Sequence, residues 1–463
     1  MSLKFFNTLS AKKEEFTPLQ DGVVKMYTCG PTVYDYAHIG NFRAYIFEDL
    51  LRRYLKYKGF KVIQVMNLTD IDDKTIKGAL EKGISLNEYT KTYIDAFFED
   101  LDSLGIERAE YYPRATEHIA DMIALVKTLL RKKIAYESDG SVYYRIQAFP
   151  SYGKLSKKDI DENIIGLRVD RDEYERDDVR DFVLWKKSKD NEPSWDSPFG
   201  KGRPGWHIEC SAMSMRYLGE TLDIHTGGED NIFPHHENEI AQSEGATGKR
   251  FVNYWLHCKF LLVNNEKMSK SKGNFYTLRD LLAKGYSPLS IRYILISHNY
   301  RHPLNFTLEG LEQAQSSINR IRDFMLRLMS YVPHVSGKDS CDREIKEARK
   351  QFEEALDDDL NIAQALSSLF GFINDINKLI ENSSVTDKGR KQIIEFVDNI
   401  NSVLGIIRDV DEEVPPEIKE LVNQRSLARK ARDFKKSDEI RDKISALGWV
   451  VEDTAQGARV KKK

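Results

Sequence analysis

The sequence predicts an α/β protein in which a parallel-sheet domain with a connective insertion is followed by an α-helical bundle and a small C-terminal α+β domain. Three observations support this prediction. Residues 23–66 read as strand, helix and strand; helical periodicity dominates residues 307–404; and a basic segment follows Pro415 and Pro416. A chain of 463 residues is too long for a single core, so several domains are expected.

The N-terminal part has the length and pattern of a β-α-β unit. Residues 23–29 and 61–66 are short apolar runs typical of buried strands. Between them, residues 44–56 carry apolar side chains at helical spacing, and Gly59 follows as a stop signal. Two strands joined by a helix of this length form neighbouring strands of a parallel sheet.

Further along the chain, the pattern predicts the remaining domains. Helical periodicity at 85–104 and 116–132 is followed by a polar, short-stranded stretch, which we interpret as an insertion. Residues 408–416 are acidic and end in two prolines, which predicts a linker before two basic helices and a small hairpin. The bundle helices are predicted at 307–331, 344–357, 361–382 and 387–404. The predicted domains are residues 1–305, with the insertion at about 115–203 and a linker at about 250–305, then residues 306–407, and finally residues 408–463.

Composition limits the classes of protein that this chain can represent. There is no run of eighteen apolar residues and no secretory signal, so no membrane span is expected. Four irregularly spaced cysteines suit a reducing cytoplasm. The net charge is −3, yet residues 425–463 contain twelve Lys or Arg and six Asp or Glu. A basic end on an acidic body suits a polyanion partner, although a solvated helical face would carry the same charge.

Two short motifs indicate that the protein handles a nucleoside triphosphate without a P-loop. Lys267-Met-Ser-Lys-Ser271 follows an apolar run, and His38-Ile-Gly-Asn41 precedes a helix-like stretch. Lysines on a loop can bind phosphates as point charges. A turn through Gly40 at a helix start would let backbone N–H groups and the helix dipole face an anion. The Gly-x-x-x-x-Gly-Lys-Ser/Thr pattern of the usual ATP loop does not occur.

Four residues could hold a metal ion, but their spacing does not assemble them. Cys29 ends the first strand and Cys210 lies far along the chain, while His235 and Glu239 are four residues apart and would share a helix face. Thiolate, imidazole and carboxylate are all competent zinc ligands. Spacing alone leaves open two buried cysteines that act as small hydrophobes beside an ordinary polar helix start.

Seven segments, taken together and in this order, resemble the cysteinyl-tRNA synthetase family, in its bacterial form, among the class I aminoacyl-tRNA synthetases. They are GPTVYDYAHIGN at 30–41, NLTDIDDK at 67–74, DFVLWK at 181–186, GRPGWHIECSAM at 202–213, FPHHENEIAQSE at 233–244, KMSKS at 267–271 and ALDDDLNIAQAL at 355–366. The resemblance covers essentially the whole chain. It implies a Rossmann-type catalytic domain, a helical bundle and a C-terminal anticodon-binding domain in a monomeric, cytoplasmic enzyme.

The resemblance also implies one zinc ion that recognises the substrate thiol. In that family two cysteines, a histidine and a glutamate hold the zinc, and these positions fall here on Cys29, Cys210, His235 and Glu239, with the adjacent His236 as the competing ligand. The chemistry agrees, because a hydrophobic pocket separates near-isosteres such as cysteine and serine only weakly, whereas zinc deprotonates a coordinating thiol. The family positions that line the same pocket fall on Gly30, Thr69 and Trp206.

For activation, the resemblance implies ATP with Mg²⁺ as the second substrate and tRNA(Cys) as the acceptor. His38 and Gly40 are expected at the phosphates, and Lys267 and Lys270 would offset the charge that develops as pyrophosphate leaves. Asn41 stands where this class usually has histidine, so it cannot supply a positive charge. The segment that contains Gly228 and Asp230 resembles the one that meets adenosine, with Asp230 as a ribose contact.

Two alternative functions remain open at this stage. A ligase of the same ancestry that joins cysteine to an amino-sugar, as in mycothiol synthesis, would share the pocket and both motifs, but it would not need a basic C-terminal module. A non-catalytic tRNA-binding paralogue is the more distant alternative. Several polar groups have simpler interpretations: Asp70, Asp72 and Asp73 as a capped loop, residues 357–359 as a turn, His257 and Cys258 as packing residues, and Cys341 as a free surface thiol.

Overall fold

The protein divides into two compact units, Met1–Ile406 and Ile407–Lys463. The structure, a computed structural model, describes residues 2–157, 181–190, 192–333, 341–408, 415–454 and 457–462. Most of the linker predicted at 408–416 and the middle of the insertion predicted at 115–203 therefore lie outside the described residues. Among the described helices, none is long and apolar enough to cross a membrane.

The strands and helices are numbered along the chain. The strands are β1 Lys4–Asn7, β2 Lys12–Glu15, β3 Val23–Thr28, β4 Lys61–Met66, β5 Ala135–Ser138, β6 Ser141–Tyr144, β7 Phe182–Lys187, β8 Gly202–Pro204, β9 Leu222–Gly228, β10 Val252–Cys258, β11 Leu261–Val263, β12 Glu266–Lys267, β13 Leu304–Phe306, β14 Trp449–Thr454 and β15 Gly457–Lys462. The helices are α1 Ile39–Tyr57, α2 Asp73–Lys82, α3 Leu86–Leu104, α4 Ile119–Arg131, α5 Trp206–Leu218, α6 Glu237–Thr247, α7 Leu278–Ala283, α8 Pro288–Ile296, α9 Leu308–Ser330, α10 Asp342–Asp357, α11 Ile362–Glu381, α12 Asp387–Leu404, α13 Pro416–Lys430 and α14 Phe434–Ala446.

A parallel sheet with the order β10-β9-β3-β4 forms the centre of the first unit. Strands β3 and β4 are joined by α1, so the predicted β-α-β unit and the α/β fold class are confirmed. Strand β9 is buried along almost its whole length although it carries polar residues. Asp223 is satisfied there because its carboxylate accepts the backbone N–H groups of Leu19 and Lys25 at 2.5 and 2.7 Å.

Helix α1 begins at Ile39, earlier than the apolar periodicity from residue 44 indicates, because a reciprocal cap extends it. Nδ1 of His38 accepts the backbone N–H of Asn41 at 3.2 Å, and Oδ1 of Asn41 accepts the backbone N–H of His38 at 3.1 Å. The backbone N–H of His38 thereby gains a partner, and the backbone N–H of Asn41, which also donates to the His38 carbonyl at 2.9 Å, gains a second acceptor. The first motif is therefore part of a rigid helix N-terminus.

The predicted insertion contains a small antiparallel sheet with the order β5-β6-β7-β8, which packs with α4 and α5 around a core of its own. Trp185 and Tyr144 are fully buried in this core. The sheet ends at Pro204, one residue before the N-cap of α5. It therefore leads the chain directly into the helix that carries Trp206 and Cys210.

Helices α9 to α12 belong to the same compact unit as the sheet, and buried charges tie them to it. Nη2 of Arg292 lies 2.5 Å from Oδ2 of Asp49 on α1, and Nε of Arg292 donates to the carbonyl of Leu404 on α12. Arg292 and Asp49 are both buried, so loss of either partner would leave an uncompensated charge. Helix α12 of the bundle is thus fixed to α1, the helix that follows His38.

Two polar residues of this helical region differ from their simple interpretations. Cys341, expected as a free surface thiol, is buried directly before α10; the prediction was wrong because the residue is the N-cap of an amphipathic helix, and its polar neighbours in the sequence hid that position. Asp359, expected only as part of a turn, is also buried. Its carboxylate accepts the Phe6 backbone N–H and the Tyr300 hydroxyl, and it pairs with Arg301 at 2.6 Å.

The second unit consists of α13, α14 and the antiparallel hairpin β14–β15. Ile440, Ile444 and Trp449 form the centre of its small core. The guanidinium of Arg425 binds the Asp453 carboxylate with two hydrogen bonds of 2.8 and 2.9 Å, which joins α13 to the hairpin.

Candidate metal centre and nucleotide site

The candidate site lies at the carboxyl edge of the parallel sheet. Cys29 directly follows β3, Thr69 lies three residues beyond β4, and Gly228 ends β9. Helix α5 contributes Cys210, and the turn before α6 contributes His235. In open parallel sheets, the crevice outside the carboxyl ends of the strands is the usual place for a ligand.

The four metal-ligand candidates converge at this edge, although Cys29 and Cys210 are far apart in the chain. Ligand atoms of Cys29, Cys210, His235 and Glu239 all lie within 4.8 Å of one another. A second set, in which His225 and His236 replace Cys210 and His235, satisfies the same limit. The sequence did not single out His225, which lies inside a strand and has no motif around it.

The two competing histidines have different hydrogen-bond partners. Nε2 of His235 lies 3.1 Å from Oε1 of Glu239, and its Nδ1 lies 2.9 Å from Nδ1 of His207. Nε2 of His236 lies 3.1 Å from the sulfur of Cys29, and its Nδ1 lies 2.8 Å from Nε2 of His257. His257, interpreted from the sequence as a packing residue, is therefore a hydrogen-bonded neighbour of the cluster.

The electrostatics of the cluster favour one deprotonated thiol. A hydrogen bond with Cys210, together with burial, raises the pKa of Cys29 well above its usual range, and the same bond lowers the pKa of Cys210 to about 6. Burial lowers the pKa of His235, but the charges of Glu239 and Cys210 outweigh it and leave the pKa raised. Burial and the neighbouring imidazoles hold the pKa of His236 well below its usual value.

This donor set fits a zinc ion. Two thiols, an imidazole and a carboxylate within 4.8 Å of one another can surround one ion at bond lengths of about 2.0–2.3 Å. A cysteine binds a metal ion as its thiolate, and the lowered pKa of Cys210 favours that form. The cluster is also nearly closed to solvent, since Cys210, His235 and Glu239 are buried.

The residues expected to line the amino-acid pocket surround the cluster. Trp206 stacks on the His235 ring at 4.3 Å between centroids and is 41% exposed, so its indole borders an open space. A Cβ at Gly30 would lie 1.8 Å from the carbonyl oxygen of Asn67, so only glycine fits there. The Thr69 hydroxyl donates to the carboxylate of Glu209 at 2.9 Å. Asn67 and Glu209 were not singled out from the sequence, although both lie in segments that carry the resemblance.

The two nucleotide motifs contact each other. The backbone N–H of Ile39 donates to the carbonyl of Tyr276 at 3.0 Å, just past the Lys-Met-Ser-Lys-Ser loop. A Cβ at Gly40 would lie 3.3 Å from the terminal methyl of Met268. The loop therefore lies against the N-terminus of α1, where the helix dipole favours an anion.

The two motif lysines are both exposed, but their surroundings differ. Nζ of Lys270 lies 2.5 Å from Oδ2 of Asp35, four residues before the start of α1, and over the Phe275 ring at 5.1 Å. This partner raises the pKa of Lys270. Lys267 ends the short strand β12, and its carbonyl accepts the Asn274 amide at 3.3 Å.

Gly228 and Asp230 lie together where β9 ends. A Cβ at Gly228 would lie 2.4 Å from Oδ1 of Asp230, so the close approach of that carboxylate requires glycine. The neighbouring Glu229 pairs with Lys259 and accepts the backbone N–H of Phe260. These contacts fix the turn that leads from β9 towards His235.

Comparison with known proteins identifies the class to which this fold and site belong. The family model described as "tRNA synthetases class I (C) catalytic domain" matches residues 15–316. The structure is similar to that of the Mycobacterium tuberculosis methionyl-tRNA synthetase in complex with methionyl-adenylate, with a TM-score of 0.61 at 16% identity over 90% of this chain and 96% of that one. The structure is also similar to that of a putative arginyl-tRNA synthetase from Campylobacter jejuni, with a TM-score of 0.55 at 14% identity over 84% of this chain and 94% of that one. The fold is that of the class I aminoacyl-tRNA synthetases.

Further matches define the family within this class. A DALR domain matches residues 351–408, and a "Cysteinyl-tRNA ligase anticodon binding domain" matches residues 411–460. The chain is 50% identical to the cysteine–tRNA ligase of Protochlamydia amoebophila over 99% of its own length and 98% of that protein. It is also 50% identical to the cysteine–tRNA ligase of Solibacter usitatus over the full length of both. The chain belongs to the cysteine–tRNA ligase family, and the prediction of an enzyme of this family is confirmed.

Proposed function

We propose that this enzyme condenses cysteine with ATP to give cysteinyl-adenylate and pyrophosphate, and then transfers the cysteinyl group to the 3′ end of tRNA(Cys). The observation that carries this proposal is the convergence of Cys29, Cys210, His235 and Glu239 at the same sheet edge that bears both nucleotide motifs. Membership of the cysteine–tRNA ligase family supports the choice of substrate.

Cys29, Cys210, His235 and Glu239 are the residues that would hold one zinc ion. Bound there, zinc would bind a substrate thiolate and discriminate against a hydroxyl. We favour this set over the one with His225 and His236 because it places both thiols on the ion. His236 contacts Cys29 with one ring nitrogen and His257 with the other. It would instead hold the metal ligand Cys29 in place without binding the ion itself.

The remaining pocket residues would orient the substrate. Trp206 would lie beside the cysteine, and Gly30 and Thr69 would border its amino end. The carboxylate of cysteine is already a nucleophile, so catalysis requires positioning and charge compensation and needs no general base.

The N-terminus of α1 would bind the ATP phosphates together with Mg²⁺. Nδ1 of His38 accepts a hydrogen bond from the backbone N–H of Asn41, so the neutral ring carries its proton on Nε2. From there the proton can be donated to a phosphate oxygen. Burial lowers the pKa of His38 and supports the neutral form. Asn41 would act through this cap, which requires no charge at that position.

The other nucleotide contacts follow from the same placement. Lys267 and Lys270 would offset charge on the departing pyrophosphate, and Lys270 would exchange Asp35 for phosphate oxygens. Gly40 would allow the phosphates to approach the backbone of α1, and Gly228 with Asp230 would bind the ribose.

We assign residues 1–305 to catalysis, residues 306–407 to the helical bundle and residues 408–463 to the linker and the anticodon-binding domain, in a cytoplasmic monomer. The match of residues 411–460 to an anticodon-binding domain supports tRNA as the acceptor. It also argues against an amino-sugar acceptor, as in mycothiol synthesis, because such a ligase has no use for this module.

The test is cysteine-dependent exchange between ATP and pyrophosphate, followed by charging of tRNA(Cys) with the same preparation. The proposal predicts both activities. Exchange without charging would favour the amino-sugar ligase, and absence of both would favour a non-catalytic tRNA-binding protein.

A further inference from the structure

We propose that Glu209 is a positioning residue that turns the Thr69 hydroxyl into a hydrogen-bond acceptor for the amino group of the amino-acid substrate. Glu209 lies in the first turn of α5, between Trp206 and Cys210, and is 1% exposed. This inference deepens the proposed function, because it takes cysteine as the substrate and concerns the end of cysteine opposite to its thiol.

A chain of hydrogen bonds fixes the direction in which the Thr69 hydroxyl points its proton. The backbone N–H of Gly30 donates to Oδ1 of Asn67 at 2.9 Å. This contact fixes the orientation of the Asn67 side-chain amide, with its oxygen towards Gly30 and its nitrogen towards Thr69. Its Nδ2 group then donates to Oγ1 of Thr69 at 3.1 Å.

A hydroxyl group has one proton and two acceptor lone pairs. Because the Asn67 amide occupies one lone pair, the Thr69 proton goes to Oε2 of Glu209 at 2.9 Å. The remaining lone pair of Thr69 can only accept. An ammonium group offers only donors, so the hydroxyl is arranged for the amino group of the substrate and against its carboxylate.

Burial makes this arrangement rigid. Asn67 and Thr69 are 2% and 1% exposed, so water does not compete for their hydrogen bonds. The Gly30 backbone lies so close to Asn67 that a Cβ would overlap the Asn67 carbonyl oxygen. Gly30 and Thr69, both expected to line the pocket, are therefore joined through Asn67 in one network that Glu209 completes.

A second observation points to a ligand. Among the described residues, Oε1 of Glu209 has no hydrogen-bond partner although it is buried. A buried carboxyl oxygen without a partner is costly unless a charge or donor compensates it. A substrate ammonium group at Thr69 would bring both a donor and a positive charge close to this carboxyl group.

The experiment compares cysteine with 3-mercaptopropionate, which keeps the thiol and the carboxylate but lacks the amino group. Dissociation constants for both are measured by calorimetry on the zinc-loaded, full-length protein, with metal content determined for each variant. In Glu209→Ala, affinity for cysteine should fall roughly ten-fold or more, the scale of one hydrogen bond to a charged group. Affinity for 3-mercaptopropionate should stay within about three-fold of the wild type.

Four further variants separate positioning from general damage to the pocket. Glu209→Gln can still accept the Thr69 proton and should retain most of the preference for cysteine. Thr69→Val should lose that preference as Glu209→Ala does, and the double variant should lose no more, since both remove the same contact. Asp70→Ala removes a neighbouring buried carboxylate that binds Thr116, and should lower stability without changing the ratio of the two affinities.

The inference would be overturned by equal weakening of both ligands in Glu209→Ala, or by an unchanged ratio in Thr69→Val. If Glu209→Ala does not fold, the Thr69→Val and Glu209→Gln pair decides the question. Failure of the proposed function has a different signature, because the wild type would then show no preference for cysteine and no cysteine-dependent exchange.

Discussion

The candidate metal cluster (Cys29, Cys210, His235 and Glu239) and the Lys-Met-Ser-Lys-Ser loop adjoin the same sheet edge but are built in opposite ways. In the cluster, Cys210, His235 and Glu239 are buried and connected to one another. In the loop, Lys270 is exposed and has Asp35 as its ion-pair partner. A group that selects a substrate gains from rigidity, because its ligand atoms must meet the substrate at fixed distances. A group that follows a departing anion must be able to change partners, and an exposed ion pair of at most about 1 kcal/mol permits this.

The largest effect is expected from breaking the buried cluster. Cys210→Ser should release zinc and reduce cysteine activation by more than the roughly 10–100-fold that loss of a supporting residue costs. His235→Ala should behave similarly. Metal analysis and pyrophosphate exchange measure both effects.

Cys258→Ser is the matched control for that substitution, because Cys258 is a buried thiol at the end of β10 that belongs to neither candidate metal set. It should keep its zinc. Equal zinc content and equal exchange in the Cys210 and Cys258 variants would contradict the assignment.

The next largest effect concerns the second compact unit. Removal of residues 408–463 should leave cysteine activation largely intact, because both motifs and all four proposed ligands precede residue 272. Charging of tRNA should fall by roughly 10²–10³-fold, the scale of a few lost contacts at about 1–3 kcal/mol each, and charging by the full-length protein should depend on salt. If both forms charge tRNA equally well, the anticodon-binding assignment is wrong.

Substitutions in the exposed loop should change the rate of adenylate formation without changing the affinity for cysteine. Lys270→Ala should slow adenylate formation by roughly 10²–10³-fold, the scale of one lost charge partner in a transition state. Affinity for cysteine without ATP should not change. Lys272→Ala is the control, since Lys272 pairs with Glu266 on the same loop. Wild-type activation by the Lys270 variant would show that the loop plays no part in phosphate chemistry.

The smallest effect concerns stability beneath the buried site. Burial raises the pKa of Glu48 on α1 to about 8, although the Thr226 hydroxyl donates to it. The unfolded chain releases this proton above about pH 4.5, while the folded protein retains it to about pH 8. Glu48 therefore does not destabilise the folded protein below about pH 4.5, where it is protonated in both states. As the pH rises from there towards 8, only the unfolded chain gains by ionising, and the free energy of unfolding falls.

Glu48→Gln removes that titration. Relative to the wild type, its free energy of unfolding in urea should rise by roughly 1–3 kcal/mol between pH 5 and pH 8. A difference that does not vary with pH would mean that Glu48 is ionised in the folded protein.

The sequence predicted local elements and pointed to the candidate site residues through the resemblance, but it did not predict how they assemble. The β3-α1-β4 unit follows from periodicity within a single stretch of the chain. The convergence of Cys29 with Cys210 does not, because it depends on how β9 and α5 pack beside β3. For the same reason, the resemblance of the quoted segments was needed to propose the zinc ligands.

Buried polar groups were the main source of error and omission. Asp49 with Arg292, Asp359 with Arg301, and Glu209 with Thr69 are pairs that are distant in sequence. A charged residue in a helix normally predicts a solvated face, and only the tertiary structure shows that a partner makes its burial tolerable. Asn41 is the opposite case, since its local cap could be inferred from its position three residues after His38.

The most direct test of the account is removal and restoration of the metal. Exchange between ATP and pyrophosphate is measured with cysteine and with serine, before and after chelation, and again after addition of zinc. The account predicts one zinc per chain, activity with cysteine far above that with serine, loss of the cysteine activity on chelation and its recovery with zinc. Undiminished cysteine activation by protein shown to contain no metal would contradict the claim that this buried cluster selects the thiol through zinc.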